Sequence, residues 1–218
     1  MKNPLLYGLG ILAMSTATML LIPNQETVAS PVSVQDEATK SSTWTVDTVH
    51  SCALFRVRHL GAGFFWGRFN DVTGTIDFDP TKPDSLAMDI VIDVDSVDSA
   101  NDSLDKHLKS PDFFDAKEFP RITFKSASVK QVPTNKRADD PVMAWDVTGA
   151  FSMRGVTKEV TARIHYWGAA DMGRGTKAGF ETTFRIKRSD FGMDWGVEQG
   201  ALGDQVTVTA AFEVNAGS

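Results

Sequence analysis

The 218-residue chain is 42% hydrophobic and 23% charged, with a formal net charge of -6. These values suit one globular domain and fit neither a multi-span membrane protein nor a wholly disordered chain. The acidic balance argues against nucleic acid or anionic lipid headgroups as partners, and the single cysteine, Cys52, excludes an internal disulfide, so stability has to come from a core.

The first thirty residues form the earliest unit. Lys2 precedes an apolar run over 5–22, followed by Pro23 and the small residues Thr27, Ala29 and Ser30. These are the three zones of a secretory signal peptide, with cleavage expected after Ala29 or Ser30 and a periplasmic or secreted destination. An uncleaved anchor is the competing reading, but Gly8, Gly10, Ser15, Thr16 and Thr18 dilute the run, and no stable membrane span is expected after cleavage. Residues 1–30 contain one cation, Lys2, and one anion, Glu26, so the remainder keeps a charge of -6. Residues 31–42 are polar and short of large apolar side chains, a flexible leader. The folded domain is expected over 43–218.

From there the dominant period is two. Leu86, Met88, Ile90, Ile92 and Val94 alternate with Asp89, Asp93 and Asp95, and Val160, Ala162, Ile164 and Tyr166 alternate with Glu159, Thr161, Arg163 and His165. Phe180, Thr182, Phe184 and Ile186 repeat the pattern, as do Val206, Val208, Ala210, Phe212 and Val214. Such alternation predicts strands with one dry and one wet face. Less regular runs over 44–49, 53–59, 68–78, 122–129 and 145–153 bring the total to about nine strands, an all-β barrel or sandwich. A bulge is suspected near Asn70. Arg154-Gly155 reads as a hairpin turn, and 133–141 as an exposed loop. The exception is 99–108, where Ser and Asn cap a short helix stopped by Ser110-Pro111.

Closing about eight strands leaves room for packed side chains or for one ligand, and fourteen Phe and five Trp serve either purpose. Two places exceed simple core filling. The stretch Gly61-Ala62-Gly63-Phe64-Phe65-Trp66-Gly67 sets three adjacent aromatics between glycines, so they cannot share one face of a regular strand, and suits a hinged pocket mouth. Pro111-Asp112-Phe113-Phe114 follows the helix and is placed across the same cavity.

Catalytic and metal chemistry find little support. His50, His59, His107 and His165 lack paired zinc spacing, the aspartates of 84–105 lack the glycine and closing glutamate of a calcium loop, and no P-loop is present. Ser51, His50 and Asp47 are close in sequence, which says nothing about catalytic geometry. Cys52 lies in a strand-like stretch and reads as packing. The expectation is no enzyme, no cofactor and no metal.

The ordered motifs resemble the YceI-like family. They are Trp44-Thr45-Val46-Asp47 with His50-Ser51, Phe55-Arg56-Val57-Arg58-His59-Leu60-Gly61, Gly67-Arg68-Phe69-Asn70 and Ser110-Pro111-Asp112-Phe113-Phe114-Asp115. They continue through Phe119-Pro120-Arg121-Ile122-Thr123-Phe124-Lys125-Ser126, Gly155-Val156-Thr157-Lys158 and Arg188-Ser189-Asp190-Phe191-Gly192. One departure is Leu104-Asp105 where relatives often carry Arg-Asp. The resemblance implies an extended, eight-stranded antiparallel lipocalin-like barrel with one short helix, holding a long isoprenoid or related amphiphile, an isoprenoid quinone included. The expected lining is Phe55, Val57, Phe69, Ile76, Phe78, Ile122, Phe124, Phe151, Ile164, Phe180, Phe184 and Phe191. Phe64, Phe65, Trp66, Phe113 and Phe114 are set near an opening, and His50 and His59 are candidates for a polar headgroup. The rivals are a filled barrel serving as a stress-related interaction module and an enzyme acting on a lipid. The oligomeric state stays open, a homodimer being one alternative.

Overall fold

The period-two segments become eleven strands in the computed structural model, which describes residues 43–217 apart from 136, 138, 139 and 172. The signal peptide and the leader lie outside the described residues. The strands are β1 (Thr43–Val46), β2 (Cys52–His59), β3 (Gly63–Phe69), β4 (Val72–Asp77), β5 (Ala87–Asp93), β6 (Val97–Asp98), β7 (Arg121–Val132), β8 (Met143–Met153), β9 (Val156–Asp171), β10 (Thr176–Lys187) and β11 (Leu202–Ala216). All pairings are antiparallel.

Eight strands close a ring in the order β1-β4-β5-β7-β8-β9-β10-β11 and back to β1. β11 is long enough to pair twice on one edge, with β1 through Val214 to Ala216 and with β2 through Leu202 to Ala211. β2, β3 and β6 therefore continue β1, β4 and β5 past local breaks, giving an eight-stranded antiparallel barrel whose first three staves are interrupted. Asp47 makes the first break: its carboxylate accepts from the Val49 amide, and its carbonyl from that of His50. Asn70 and Asp71 make the second, bonded to Ser96 and Asp93, at the position of the suspected bulge. A 3₁₀ turn over Val94–Ser96 makes the third. These breaks, and β3 where a hinged loop was expected, raise about nine segments to eleven.

Where the ladder is continuous, local chemistry matches the sequence reading. Arg154 and Gly155 take φ of 51° and 72°, the left-handed pair a two-residue hairpin demands, and Met153 pairs with Val156. Outward hydroxyls meet across strands, as in Thr148 with Thr161 at 2.7 Å and Thr183 with Thr209 at 3.0 Å, a favourable cross-strand pairing. Helix α1 (Asp102–Leu108) is capped by Asn101, whose side chain accepts from the amides of Ser103 and Leu104.

Beyond β6 the ladder does not continue to β7, and α1 with residues 109–120 covers the gap. Phe114 packs on Phe55 and Phe69, ring centroids 5.8 and 5.1 Å away, while Arg154 reaches from the β8–β9 turn to donate to the carbonyls of Pro111 and Phe113. Among the described residues, no helix is long and apolar enough to cross a membrane.

Candidate functional site

Inward side chains have two fates along the barrel. At the closed end they meet: Phe78 contacts Trp145, Tyr166 and Phe180 with ring centroids 5.6, 4.8 and 5.5 Å apart, and Trp145 is fully buried. Burial also pushes the Tyr166 hydroxyl above its ordinary pKa. Ile76, Phe78, Ile164 and Phe180 were expected to line a pocket and instead fill this end. Their inward parity was right; their depth along the barrel axis was not.

At the other end the interior is hollow. A cavity of about 630 Å³ is lined by Phe55, Val57, Phe65, Phe69, Phe113, Phe114, Ile122 and Phe151, with Phe64 and His59 at its rim, within the ordinary size range of ligand sites. Exposed or half-exposed lining residues, His59, Gly63, Phe64, Leu104, His107 and Trp195, mark the opening between the β2–β3 turn, α1 and the 193–202 segment.

The remaining expected positions divide. Phe191 is buried against Phe151, centroids 5.5 Å apart. Phe184 sits 5.9 Å from the same ring. Phe124 packs partly buried against the core and does not reach the cavity. Trp66 points outward and is 51% exposed; β3 turns Phe65 in and Phe64 and Trp66 out, as three consecutive aromatics on a strand require. Gly67 is a strand position, not a hinge: a Cβ there would collide with the Phe55 ring.

Several lining residues escaped the sequence reading. Leu104, His107 and Leu108 share the inner face of α1 at helical spacing. Val206 and Val208 on β11 belong to one of the alternating runs of the sequence and line the cavity, though they are not among the expected lining residues. Met193 and Trp195 come from a loop with no period to read, and Trp195 packs on His107 and Phe113, centroids 5.3 Å away in both cases. Cys52 is half-buried and outside the lining.

Polar groups at the cavity are few. His107 shares a 3.0 Å hydrogen bond with Asp112. Arg188 is 2% exposed and donates to the carbonyls of Gly203, Met193, Trp195 and Leu202 at 2.8 to 3.0 Å. Burial lowers its pKa, with Asp204 and Asp194 opposing that. A guanidinium fork satisfied by four carbonyls pins the loop that carries Met193 and Trp195 to the mouth.

His50 lies elsewhere. Its rim counterpart His59 pairs with Leu202 at one end of β2, whereas His50 sits beside Glu213 past the other end, with the run from Cys52 to His59, about 24 Å of strand at about 3.4 Å per residue, between them. The two histidines therefore share no site, and a headgroup role for His50 is set aside. Asp47, His50 and Glu213 offer ligand atoms within 4.8 Å of one another, but Lys177 Nζ already lies 2.6 Å from Asp47 and 2.7 Å from Glu213. The Lys177 hydrogen bond, then that of His50, holds the Asp47 carboxyl well below the usual range. A metal would have to displace the lysine. Ser51 Oγ donates to the Glu213 carbonyl and accepts from its amide, so its hydroxyl is committed to the backbone.

Comparisons with known proteins agree with this architecture. A UPF0312 protein of Pseudomonas fluorescens is 40% identical over 165 residues, 75% of this chain and 81% of the relative. The Campylobacter jejuni YceI protein structure superposes with a TM-score of 0.60 at 28% identity, covering 74% of this chain and 90% of that one. A polyisoprenoid binding domain from Saccharophagus degradans, implicated in plant cell wall breakdown, shares the fold at TM-score 0.60 and 14% identity, covering 80% and 98%. The family model described as the YceI-like domain matches residues 44–214, and the chain belongs to that family.

Proposed function

We propose that the hollow end of the barrel holds one long apolar lipid, an isoprenoid chain, and that the protein sequesters or carries it after export. The observation that carries this reading is the cavity of about 630 Å³ with a wall of Phe, Ile, Leu, Val and Met. A prenyl tail offers no hydrogen bonds, so such a wall holds it by burial, worth about 0.8 kcal/mol per CH₂ before ordering costs. Polar selection is left to the rim, where His59 and His107 could meet a headgroup, such as that of an isoprenoid quinone.

The neighbouring polyisoprenoid binding domain supports the ligand class, and the signal-like sequence of residues 1–30 supports a periplasmic or secreted setting. Binding rather than catalysis is favoured because the cavity wall is mostly apolar, and its buried cation, Arg188, has its donors engaged with backbone carbonyls. The filled-barrel interaction module is disfavoured by the cavity itself.

The test is native mass spectrometry of the protein purified from its own host without detergent, followed by lipid extraction. A stoichiometric prenyl lipid is expected. A ligand-free mass, with no uptake of added prenyl lipid, overturns the reading.

A further inference from the structure

Trp66 failed as a pocket residue, and its actual position is informative. Leu60, Phe64 and Trp66 are 65%, 53% and 51% exposed, close together on the β2–β3 hairpin. Leu60 stands at the turn tip with φ of 51°, while Phe64 and Trp66 lie on the outer face. Beneath the rings runs a row of cations. The Arg56 guanidinium sits 4.4 Å from the Phe64 ring and 5.3 Å from that of Trp66, and Arg58 lies 5.9 Å from Phe64 while donating to the Gly61 carbonyl.

Strand register extends the row. Trp66 pairs with Arg56, Arg56 with Thr207 and Thr207 with Arg185; Lys187 follows on the same face. Arg68 is partly neutralised by Asp98 on the next strand. Among the described residues, none of Arg56, Arg58, Arg185 and Lys187 has a carboxylate within salt-bridge distance. A chain of net charge -6 thus keeps unpaired cations beside its exposed aromatics and beside the cavity rim, which Phe64 also lines. The other exposed large apolar residues outside the rim, Val49, Val142 and Trp167, belong to other turns and strands.

We propose that this hairpin face docks on a bilayer surface bearing anionic headgroups, bringing the cavity mouth to the membrane. The occupant follows from two complementarities. Aromatic side chains with a leucine tip suit the interfacial zone, where Trp and Phe sit at headgroup depth. Arginines around them meet phosphate oxygens, each cation near an anionic surface strengthening attachment. Screening over roughly 10 Å lets this local patch act despite the overall acidity. A globular partner would explain the exposed rings but gives no account of the unpaired cations next to a lipid-sized mouth. The inference rests on the lipid-binding reading for its purpose, not for its test.

The closed sheet runs from Thr43 of β1 to Ala216 of β11, so a protein beginning at residue 31 serves. Flotation with phosphatidylcholine vesicles, with and without phosphatidylglycerol, is expected to show binding on the order of tenfold stronger to the anionic vesicles, lost at ~0.5 M salt. Leu60→Ser/Trp66→Ser and Arg56→Gln/Arg58→Gln should each reduce it severalfold, with unchanged thermal midpoint and unchanged prenyl-lipid content for the first pair, neither member of which lines the cavity. No flotation of the wild type, flotation indifferent to both pairs, or a dimer that these substitutions dissociate without any vesicle binding would overturn the proposal. Flotation by a protein that never takes up prenyl lipid would uphold docking and defeat the carrier reading.

Discussion

The two ends of this barrel use the same alternating strands for opposite purposes. At the closed end the ring is complete, and Phe78, Trp145, Tyr166 and Phe180 meet at its centre. At the open end β2, β3 and β6 diverge from β7, helix α1 spans the gap, and Phe55, Phe65, Phe113 and Phe151 stand back from a void. Closure with large aromatics yields a packed core; interruption with a helical cover yields room. The breaks at Asp47, Asn70 and Val94 thus help to make the cavity, and the packed end supplies the stability that a hollow end forgoes.

The sharpest way to break this comparison is truncation on both sides of it. Trp145→Ala should cost about 3–5 kcal/mol in chemical denaturation, whereas Phe65→Ala, on a wall already lacking neighbours on one side, should cost about 1 kcal/mol. Equal losses would mean that the ends are not distinct. Trp145→Phe should be far milder than Trp145→Ala, since the indole N–H has no acceptor among the described residues.

Next in size is Arg188→Met, expected to cost about 2–4 kcal/mol because four carbonyls lose a charged donor. Hydrogen exchange should rise first over 193–203. Arg188→Lys should not restore protection there, because an ammonium cannot span the fork.

Filling the void tests the hollow end from the other direction. Val206→Phe, aimed into the cavity, should change stability by less than about 1 kcal/mol while sharply lowering lipid content measured by extraction. Unaltered lipid content would place the ligand elsewhere.

The smallest effect belongs to the Asp47 cluster at the closed end. Its depressed carboxyl pKa contributes stability that is fully present above the unfolded-state value of about 3.9 and is lost as pH falls through the folded value. Asp47→Asn should therefore be less stable near neutrality, decline less steeply in acid, and converge with the wild type at the lowest pH, as followed by denaturation midpoints.

Period two shows which side chains face inward, and on that basis β8 to β11, the Asn101-capped helix and the Arg154-Gly155 turn were legible in sequence. It does not show how far along the barrel axis a residue lies. Phe78 and Phe180 have the same parity as Phe55 and Phe151, yet the first two fill and the second two line. The dividing feature is long-range, the pairing of β11 with both β1 and β2, and no local pattern records it. Trp66 shows the converse: alternation alone set it outside, and proximity to Phe65 suggested otherwise. Trp195 and Met193 reach the mouth because Arg188 ties their loop down, a contact with no periodic signal.

The account turns on which end receives the lipid, and photo-crosslinking with a diazirine-bearing polyprenyl lipid reads that directly. Peptide mapping should place the adducts on the Phe55, Phe65, Phe113, Ile122 and Val206 segments, with none on Phe78, Trp145 or Phe180. Adducts concentrated at the closed end, or scattered over the outer surface, would contradict it.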